Sequence, residues 1–459
     1  MIDLTQVNAY RENNRLEAKR ATGGFPQSLW ETYSAFANTV GGLILLGVDE
    51  QADKSLRAVG VPDSQGYIEA FWAHIQNPAL VSVNILSPKH VYVQMVDDKE
   101  ILVIDVPRAH RRQRPVFLGE NPFTGSYRRD GEGDYHCTPN EVRSMLRDRG
   151  DLPTDLAAMT KLSMADFSGE SLRAFRLLLA TRNPDHPYTR LPDEQFLLSC
   201  GAAAWGLDGQ ALHPTAAGLL LLGTRQAIYS AFPHHQLEYR EADTEEFLIS
   251  SNNLNWSSNL FDFYTQISQR LRDLSHALAP QDAALEDSIR EAAVNAILHA
   301  DYFSPQGLHI LHLPDALQVT NSGLFRAPPE AAQKGSADAR NPGLSRLFVL
   351  IGVSTGEGTG LRGIYATWAQ NGWQEPRITE NFGPDTTSLR LPLPDFPTDS
   401  LRQHILEHLT HAISASPMQL AKTLNASPLL VQKALSQLAE NHLISRDEDH
   451  RTAVYRLRA

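Results

Sequence analysis

Apolar and polar positions recur along this chain with two periods, and the switches between them mark out its elements. Leu16-Glu17-Ala18-Lys19 has the two-residue period of a strand, with Leu16 and Ala18 on one side and Glu17 and Lys19 on the other. Residues 27–40 take helical spacing through Leu29, Tyr33, Phe36 and Ala37 and stop at Gly41-Gly42, a pair suited to a C-terminal cap. The continuous apolar run at 43–48 reads as a buried strand ending in Asp49-Glu50, with further strands expected at 91–96 and 100–106. Polar residues with Gly and Pro at 150–154 mark a boundary. Beyond it the pattern predicts a helix over 171–181, strands over 213–223 and 232–240, and an amphipathic helix over 254–274 with Leu260, Phe263, Ile267 and Leu271 on one side.

The stretch 290–302 carries polar residues that packing alone does not require. At about 100° per residue, Glu291, Asn295 and His299 drift by only about 40° per step and share one face, while Ala292, Ala293, Ala296 and Ile297 supply the packing side. A carboxylate one turn before an Asn can position a water and a magnesium ion together. Next come a strand at 308–313, a turn at Pro314-Asp315, and a strand at 317–320 that runs into Asn321-Ser322-Gly323. Ala339-Arg340-Asn341-Pro342 precedes an apolar helix, and Gly356-Glu357-Gly358-Thr359-Gly360 opens onto another, followed by a strand at 387–391. Glycines at 356, 358 and 360 let backbone N–H groups approach phosphates, and the following helix adds its positive N-terminal end.

A proline-rich linker at 392–397 leads to helices at 401–412, 417–424 and 428–440 and strands at 442–446 and 452–457. Ser416 and Ser427 stand as N-caps.

Composition narrows the class. With 459 residues, 42% of them hydrophobic and 20% charged, the chain is ordinary globular material for roughly three domains. Cys137 and Cys200 are too few for a disulfide framework or a Cys-based zinc site, and the histidine spacings fit no common zinc pattern, which points to a reducing compartment. The N-terminal residues lack the plan of a signal peptide, and no apolar run approaches a membrane span. A cytoplasmic protein without a membrane partner is expected. The net charge of −12 opposes generic attraction to nucleic acid, so such binding must use local patches. Arg108, Arg111, Arg112 and Arg114, followed by Arg128 and Arg129, form the best of these.

Three stretches resemble known families. Residues 35–49, Ala-Phe-Ala-Asn-Thr-Val-Gly-Gly-Leu-Ile-Leu-Leu-Gly-Val-Asp, resemble the Schlafen AlbA domain of bacterial regulators and Schlafen proteins, a likeness extending over most of 1–150. The resemblance implies nucleic-acid binding and, in its RNase members, an acidic cleavage site whose matching positions are Glu12, Glu17 and Asp49. Three carboxylates there would hold a divalent metal that activates water. The order of elements over 280–396 resembles the GHKL ATPase fold of gyrase, chaperones, histidine kinases and MutL, most closely the divergent type that follows AlbA domains. It implies that Asn295 coordinates magnesium and that Glu291 orients the attacking water. It also implies that Asn321, Gly323 and Thr387 support the base while Gly356, Gly358, Thr359 and Gly360 meet the phosphates. Asn321 stands where that family has an Asp, and Phe325 replaces a Gly; an Asn oxygen can still accept from an adenine amine, but its NH₂ group would suit another purine. The C-terminal elements resemble a winged helix, whose third helix would present Gln432, Lys433, Ser436 and Gln437 with Arg446, Arg451 and Arg456 flanking the wing.

The expectation is thus an α/β and α+β multidomain protein. It comprises an AlbA-like module at 1–150, a connecting α/β segment at 151–279, a GHKL-type α/β sandwich at 280–396 and a winged helix at 397–459. Its expected function is that of an ATP- and nucleic-acid-binding transcriptional regulator, in which nucleotide and magnesium control conformation or homodimerisation. The alternative is a metal-dependent nuclease using Glu12, Glu17 and Asp49, switched by nucleotide.

Overall fold

The computed structural model describes residues 10–150, 153–241, 248–251, 253, 256–279, 282–326, 329–335, 338–394, 398–412, 414–424, 426, 428–449 and 452–458. The chain divides into two compact units, one of residues 1–152 with 381–385 and one of residues 153–380 with 386–459.

In the first unit the strands β1 (Leu16–Lys19), β2 (Gly42–Leu46), β5 (Val91–Val96) and β6 (Lys99–Val106) form a sheet in the order β1-β2-β6-β5, parallel between β1 and β2 and antiparallel elsewhere. Between β2 and β5 lie the hairpin β3 (Val48–Glu50) and β4 (Leu56–Ala58) and the helix α2 (Ser64–Ile75). The apolar run expected as one strand at 43–48 is therefore split. Gly47 takes φ +87°, which turns the chain out of β2 and into β3. Helix α1 (Leu29–Asn38) and α2 cover one face through Phe36, Ile44, Leu46, Phe71, Leu102 and Ile104. Leu16, Leu45, Val48, Leu56, Ile101 and Val103 pack on the other face. The unit is completed by α3 (Pro122–Gly125), the hairpin β7 (Tyr127–Asp130) and β8 (Gly133–His136), and α4 (Pro139–Arg149), which Thr138 and Glu141 start with a capping box. Asn38, buried at the end of α1, pins this second half. Its Oδ1 accepts from Val116 N at 2.8 Å, and its Nδ2 donates to Val116 O at 2.8 Å and Tyr127 O at 3.0 Å.

The second unit begins with α5 (Gly169–Arg182), α6 (Asp193–Cys200), the short pair β9 (Ala203–Trp205) and β10 (Leu212–Pro214), α7 (Ala216–Leu222) and α8 (Arg225–Ala231). The strand expected over 213–223 is mostly helix. Thr215 Oγ1 accepts from Gly218 N at 3.1 Å and starts α7, whose residues are all buried, so no polar face betrayed the helical period. Then follow β11 (Leu237–Glu241), β12 (Ile249–Ser250), α9 (Leu260–Leu278), α10 (Ala283–His299), β13 (Leu308–Leu313), β14 (Ala316–Ser322), α11 (Pro329–Gln333), α12 (Pro342–Leu350), α13 (Gly360–Gln370), β15 (Arg377–Asn381) and β16 (Thr386–Pro392). The amphipathic helix expected from 254 starts at Leu260, where Asn259 accepts from Asp262 N.

The strands form a six-stranded sheet in the order β12-β11-β13-β14-β16-β15, with β11 parallel to β13. Strands from both sides of residue 280 join this sheet, and one hydrophobic core runs from Phe167 to Leu393, so the boundary expected at 279/280 does not separate two cores. Last come α14 (Thr398–His411), α15 (Pro417–Thr423), α16 (Pro428–Glu440) and the hairpin β17 (Ile444–Asp449) and β18 (Thr452–Leu457). Ile405, Leu409, Leu420, Val431, Leu435 and Tyr455 give these elements a core of their own. Ser416 and Gln419 cap α15 reciprocally, whereas Ser427 lies outside the described residues.

Candidate functional site

Helix α10 is positioned on all sides. Asp282 caps it by accepting from Leu285 N at 3.0 Å, Leu285, Ile289, Ala293 and Ile297 are fully buried, and Ser288 Oγ donates to Thr367 Oγ1 of α13 at 2.8 Å. The face left over carries Ala292, Asn295, Ala296 and His299, which form one wall of a groove enclosing about 900 Å³ with its open mouth. Val319 and Asn321 of β14, Ile378 of β15, and Thr387 and Leu389 of β16 form the opposite wall. The segment after β14 contributes Leu324, Phe325, Arg326, Ala332, Asp338 and Arg340, and the glycine-rich stretch contributes Gly358, Gly360 and Leu361.

Paired strands set the polar groups at one end. Asn321 and Thr387 stand opposite each other in the β14–β16 register. Thr387 Oγ1 donates to Gly323 O at 2.8 Å, and Gly323 turns the chain out of β14 with φ +88°. Asn321 Nδ2 donates to Ser322 O at 2.9 Å, which leaves Oδ1 as its acceptor. The segment beyond is tied back to α10: Arg340 Nε donates to His299 O at 3.0 Å and its Nη2 to Leu324 O at 2.7 Å, while Asn341 Nδ2 donates to Leu298 O and Ala300 O. Arg326 donates to Ala339 O at 2.7 Å and lies 3.7 Å from the Asp338 carboxylate. Burial, followed by the nearby Arg340 and Arg326 guanidinium groups, pulls His299 down to about 4, so its imidazole is neutral at pH 7.

At the other end the N-terminus of α13 meets α10 at van der Waals limits. A Cβ built on Gly360 would run into Glu291 Oε1 and Asn295 Nδ2, so only glycine allows this approach. Gly356 and Gly358 have φ of +72° and +71°, and neither Gly356 nor Thr359 is part of the groove lining. Glu291 stands behind Asn295 rather than in the wall, hydrogen-bonded to it. Burial raises the Glu291 carboxyl above its ordinary range, and Arg290 opposes that rise.

The first unit arranges its expected residues differently. Glu12 Oε1 accepts from Ala18 N at 2.9 Å. Glu17 pairs with Lys19 and with Arg129, both at 2.8 Å. Asp49 lies on β3 opposite Arg57 and accepts from Gln51. The charges pressing on Glu12 come from Glu17 and Glu50, and among the described residues no group of three or more His, Cys, Asp or Glu side chains is arranged to hold a metal ion. The expected triad is therefore not assembled, because Glu17 is committed to its cations and Asp49 to its hairpin.

Of the expected basic patch, Arg112 is exposed and Arg108 and Arg128 are half-buried, with Arg128 beside Glu141 and Asp130. Arg111, Arg114 and Arg129 are buried, and Arg111 donates to Asp148 O at 2.7 Å. On α16, Gln432 and Ser436 are exposed. Lys433 lies on the same helix, and Arg451 falls outside the described residues. Asp447, Glu448 and Asp449 belong to β17.

Arg326, Asp338 and Arg340 are groove residues that sequence reasoning did not single out. Their one signal was Arg340 standing directly before the Asn-Pro helix start.

The geometry defines a mixed α/β protein with a groove between a helix, a sheet and a glycine-rich turn. Residues 12–138 match the family described as Schlafen, AlbA_2, and the protein carries a domain of that family there. Residues 143–238 match Domain of unknown function (DUF8451). Among solved structures, the DIP2311 protein from Corynebacterium diphtheriae is 17% identical with a TM-score of 0.40, covering 97% of this chain and 79% of its own. The N-terminal domain of an ATP-dependent DNA helicase RecG-related protein from Nitrosomonas europaea is 33% identical with a TM-score of 0.23, covering 29% of this chain and 90% of its own. No curated protein matches the chain. Among the described residues no helix is long and apolar enough to cross a membrane.

Proposed function

We propose that the second unit is a GHKL-type domain that binds ATP with magnesium, and that the protein is a nucleotide-controlled, nucleic-acid-binding transcriptional regulator. The observation that carries the reading is the convergence of Asn295, Asn321, Thr387, Gly358 and Gly360, drawn from four separate segments, on one groove. The residues fit the ligand. The N-terminal end of the eleven-residue α13 offers backbone N–H groups to phosphate oxygens, and the missing Cβ at Gly360 lets that end approach Glu291 and Asn295 closely. Asn295 Oδ1 would hold magnesium, which when bound neutralises phosphate charge. With its Nδ2 donating to Ser322 O, Asn321 offers Oδ1 to an exocyclic amine, which favours adenine. Glu291, behind Asn295, would orient water for slow hydrolysis and take up its proton.

The Schlafen AlbA_2 match supports nucleic acid as the partner of the first unit, and three helices with a hairpin at 398–458 support a winged helix as the second contact. Nucleotide with magnesium would act by ordering the Asn341–Gly360 loops, so changing conformation or dimerisation. Calorimetry with ATP and magnesium tests the central claim. The full-length protein should release heat, Asn295→Ala should weaken binding by at least about tenfold, and Glu291→Gln should keep binding while turnover falls by about 10²-fold or more. No heat from the unaltered protein sinks the reading.

A further inference from the structure

Strand β5 closes one side of the first unit's sheet. Its inner edge pairs with β6 from Val91↔Ile104 to Val96↔Lys99, and no described strand lies along its outer edge. Exposed edges normally carry a charge, a proline or a bulge that prevents further pairing. Val91-Tyr92-Val93-Gln94-Met95-Val96 carries no charge and no proline. Its apolar side chains remain open: Tyr92 is 41%, Val93 37% and Met95 55% exposed. Val93 and Met95 stand on the same sheet face as Val91, which is buried in the core beneath α1 and α2, so that core reaches the edge without being covered. The two ends of the strand differ in sign. Lys89 and His90 precede it, and Asp97 and Asp98 follow it in the turn to β6.

We propose that the outer edge of β5 pairs antiparallel with β5 of a second copy, about a two-fold axis at Val93, giving one continuous sheet across both copies. The charges choose the direction. Antiparallel pairing sets Lys89-His90 of each copy against Asp97-Asp98 of the other, whereas parallel pairing stacks like on like. Side-chain alternation then chooses the register. A two-fold axis perpendicular to the sheet keeps each face on its own side, so residues opposite each other must share a face. Centring on Val93 sets Val91 opposite Met95 and Lys89 opposite Asp97. Centring on Gln94 sets Val91 against Asp97, and centring on Tyr92 leaves the acidic ends without partners.

The test uses the full-length, nucleotide-free protein, so its failure leaves the nucleotide reading standing and the reverse also holds. Val93→Cys places two thiols at the axis, within the spacing of an opposed strand pair. The native Cys137 and Cys200 are buried and do not compete. Mild oxidation should convert Val93→Cys to a reducible covalent dimer at least about tenfold faster than Leu177→Cys, a control at an exposed site on α5. Val93→Lys, which sets two ammonium groups face to face, should weaken dimerisation in sedimentation equilibrium by about tenfold or more. Equal crosslinking of the two cysteine variants, a faster crosslink in Gln94→Cys than in Val93→Cys, or a dimer indifferent to Val93→Lys each overturns the proposal.

Discussion

Arg129 shows how little a residue's type says about its use. Read along the chain it is one of a run of cations suited to phosphate. In the fold its side chain is 1% exposed, with Nη2 2.8 Å from Glu17, Nη1 3.0 Å from Asp134, Nη2 donating to Asn13 O at 3.0 Å, and the guanidinium over the Phe36 ring. Removing it leaves Glu17 with Lys19 and Asp134 with Thr32 but takes away the buried cation they share, and breaking such a pair typically costs up to about 3–5 kcal/mol. Arg129→Ala should therefore lower the urea midpoint sharply, while Arg112→Ala, at an exposed position, should stay within about 0.5 kcal/mol. Equal midpoints would show that the Arg129 cluster does not hold β1 to the β7–β8 hairpin. Loss of nucleic-acid binding in Arg129→Ala would consequently report unfolding rather than a lost phosphate contact; Arg112 is the cleaner probe. The contact of Glu17 with Lys19 was legible because they stand two apart on one strand face. Its contact with Arg129 was not, since only the fold brings residues 112 apart together.

At the scale of elements, the seam between α10 and α13 depends on one glycine, and the sequence pattern could not say which. Gly356, Gly358 and Gly360 look alike in a Gly-x-Gly-x-Gly stretch, but the first two serve backbone turns at positive φ, whereas Gly360 abuts Glu291 and Asn295. Gly363, one turn further along the same helix, has nothing within 4 Å of where a Cβ would stand. The two alanine substitutions should then separate. Gly363→Ala should be neutral or stabilise by up to about 1 kcal/mol, because alanine is the better helix former. Gly360→Ala should push α13 off α10 and weaken nucleotide binding by at least about tenfold; calorimetry giving the same affinity for both variants would remove the seam from the argument. The polar stripe Glu291-Asn295-His299 was legible because a helix with one apolar and one polar face declares its period. The helix α7 was not, because a segment buried all round has no polar face, and its apolar run reads equally as a buried strand. Arg340 and Arg326 were missed for a related reason: they reach the groove from an irregular segment in which no periodicity relates sequence position to direction.

Acid sensitivity belongs to the whole second unit, since burial lowers three separated imidazoles, those of His235, His299 and His312. His235 is buried, its Nε2 donating to Ser258 O at 2.8 Å. Burial, together with Arg225, lowers its pKa to about 4, as burial with Arg340 and Arg326 does for His299. A histidine whose folded value lies below its unfolded value of about 6.5 binds more protons unfolded. Its contribution is therefore intact above pH 6.5 and is lost as pH falls towards 4. A shift of that size corresponds to roughly 3 kcal/mol per site as an upper figure. The raised carboxyls of Glu12, Glu291 and Asp155 act in the opposite sense, since they bind protons more readily folded, and they soften the loss at the acid end of that window. The melting temperature should consequently be flat above pH 6.5 and fall steadily below it. His235→Gln, which retains a donor for Ser258 O but cannot take up a proton, should make that slope shallower. A variant that follows the unaltered protein throughout the window would place the acid sensitivity outside His235. If the slope becomes shallower, His299 in the groove and His312 contribute to the remainder, and a nucleotide seated beside His299 should shift that remaining titration.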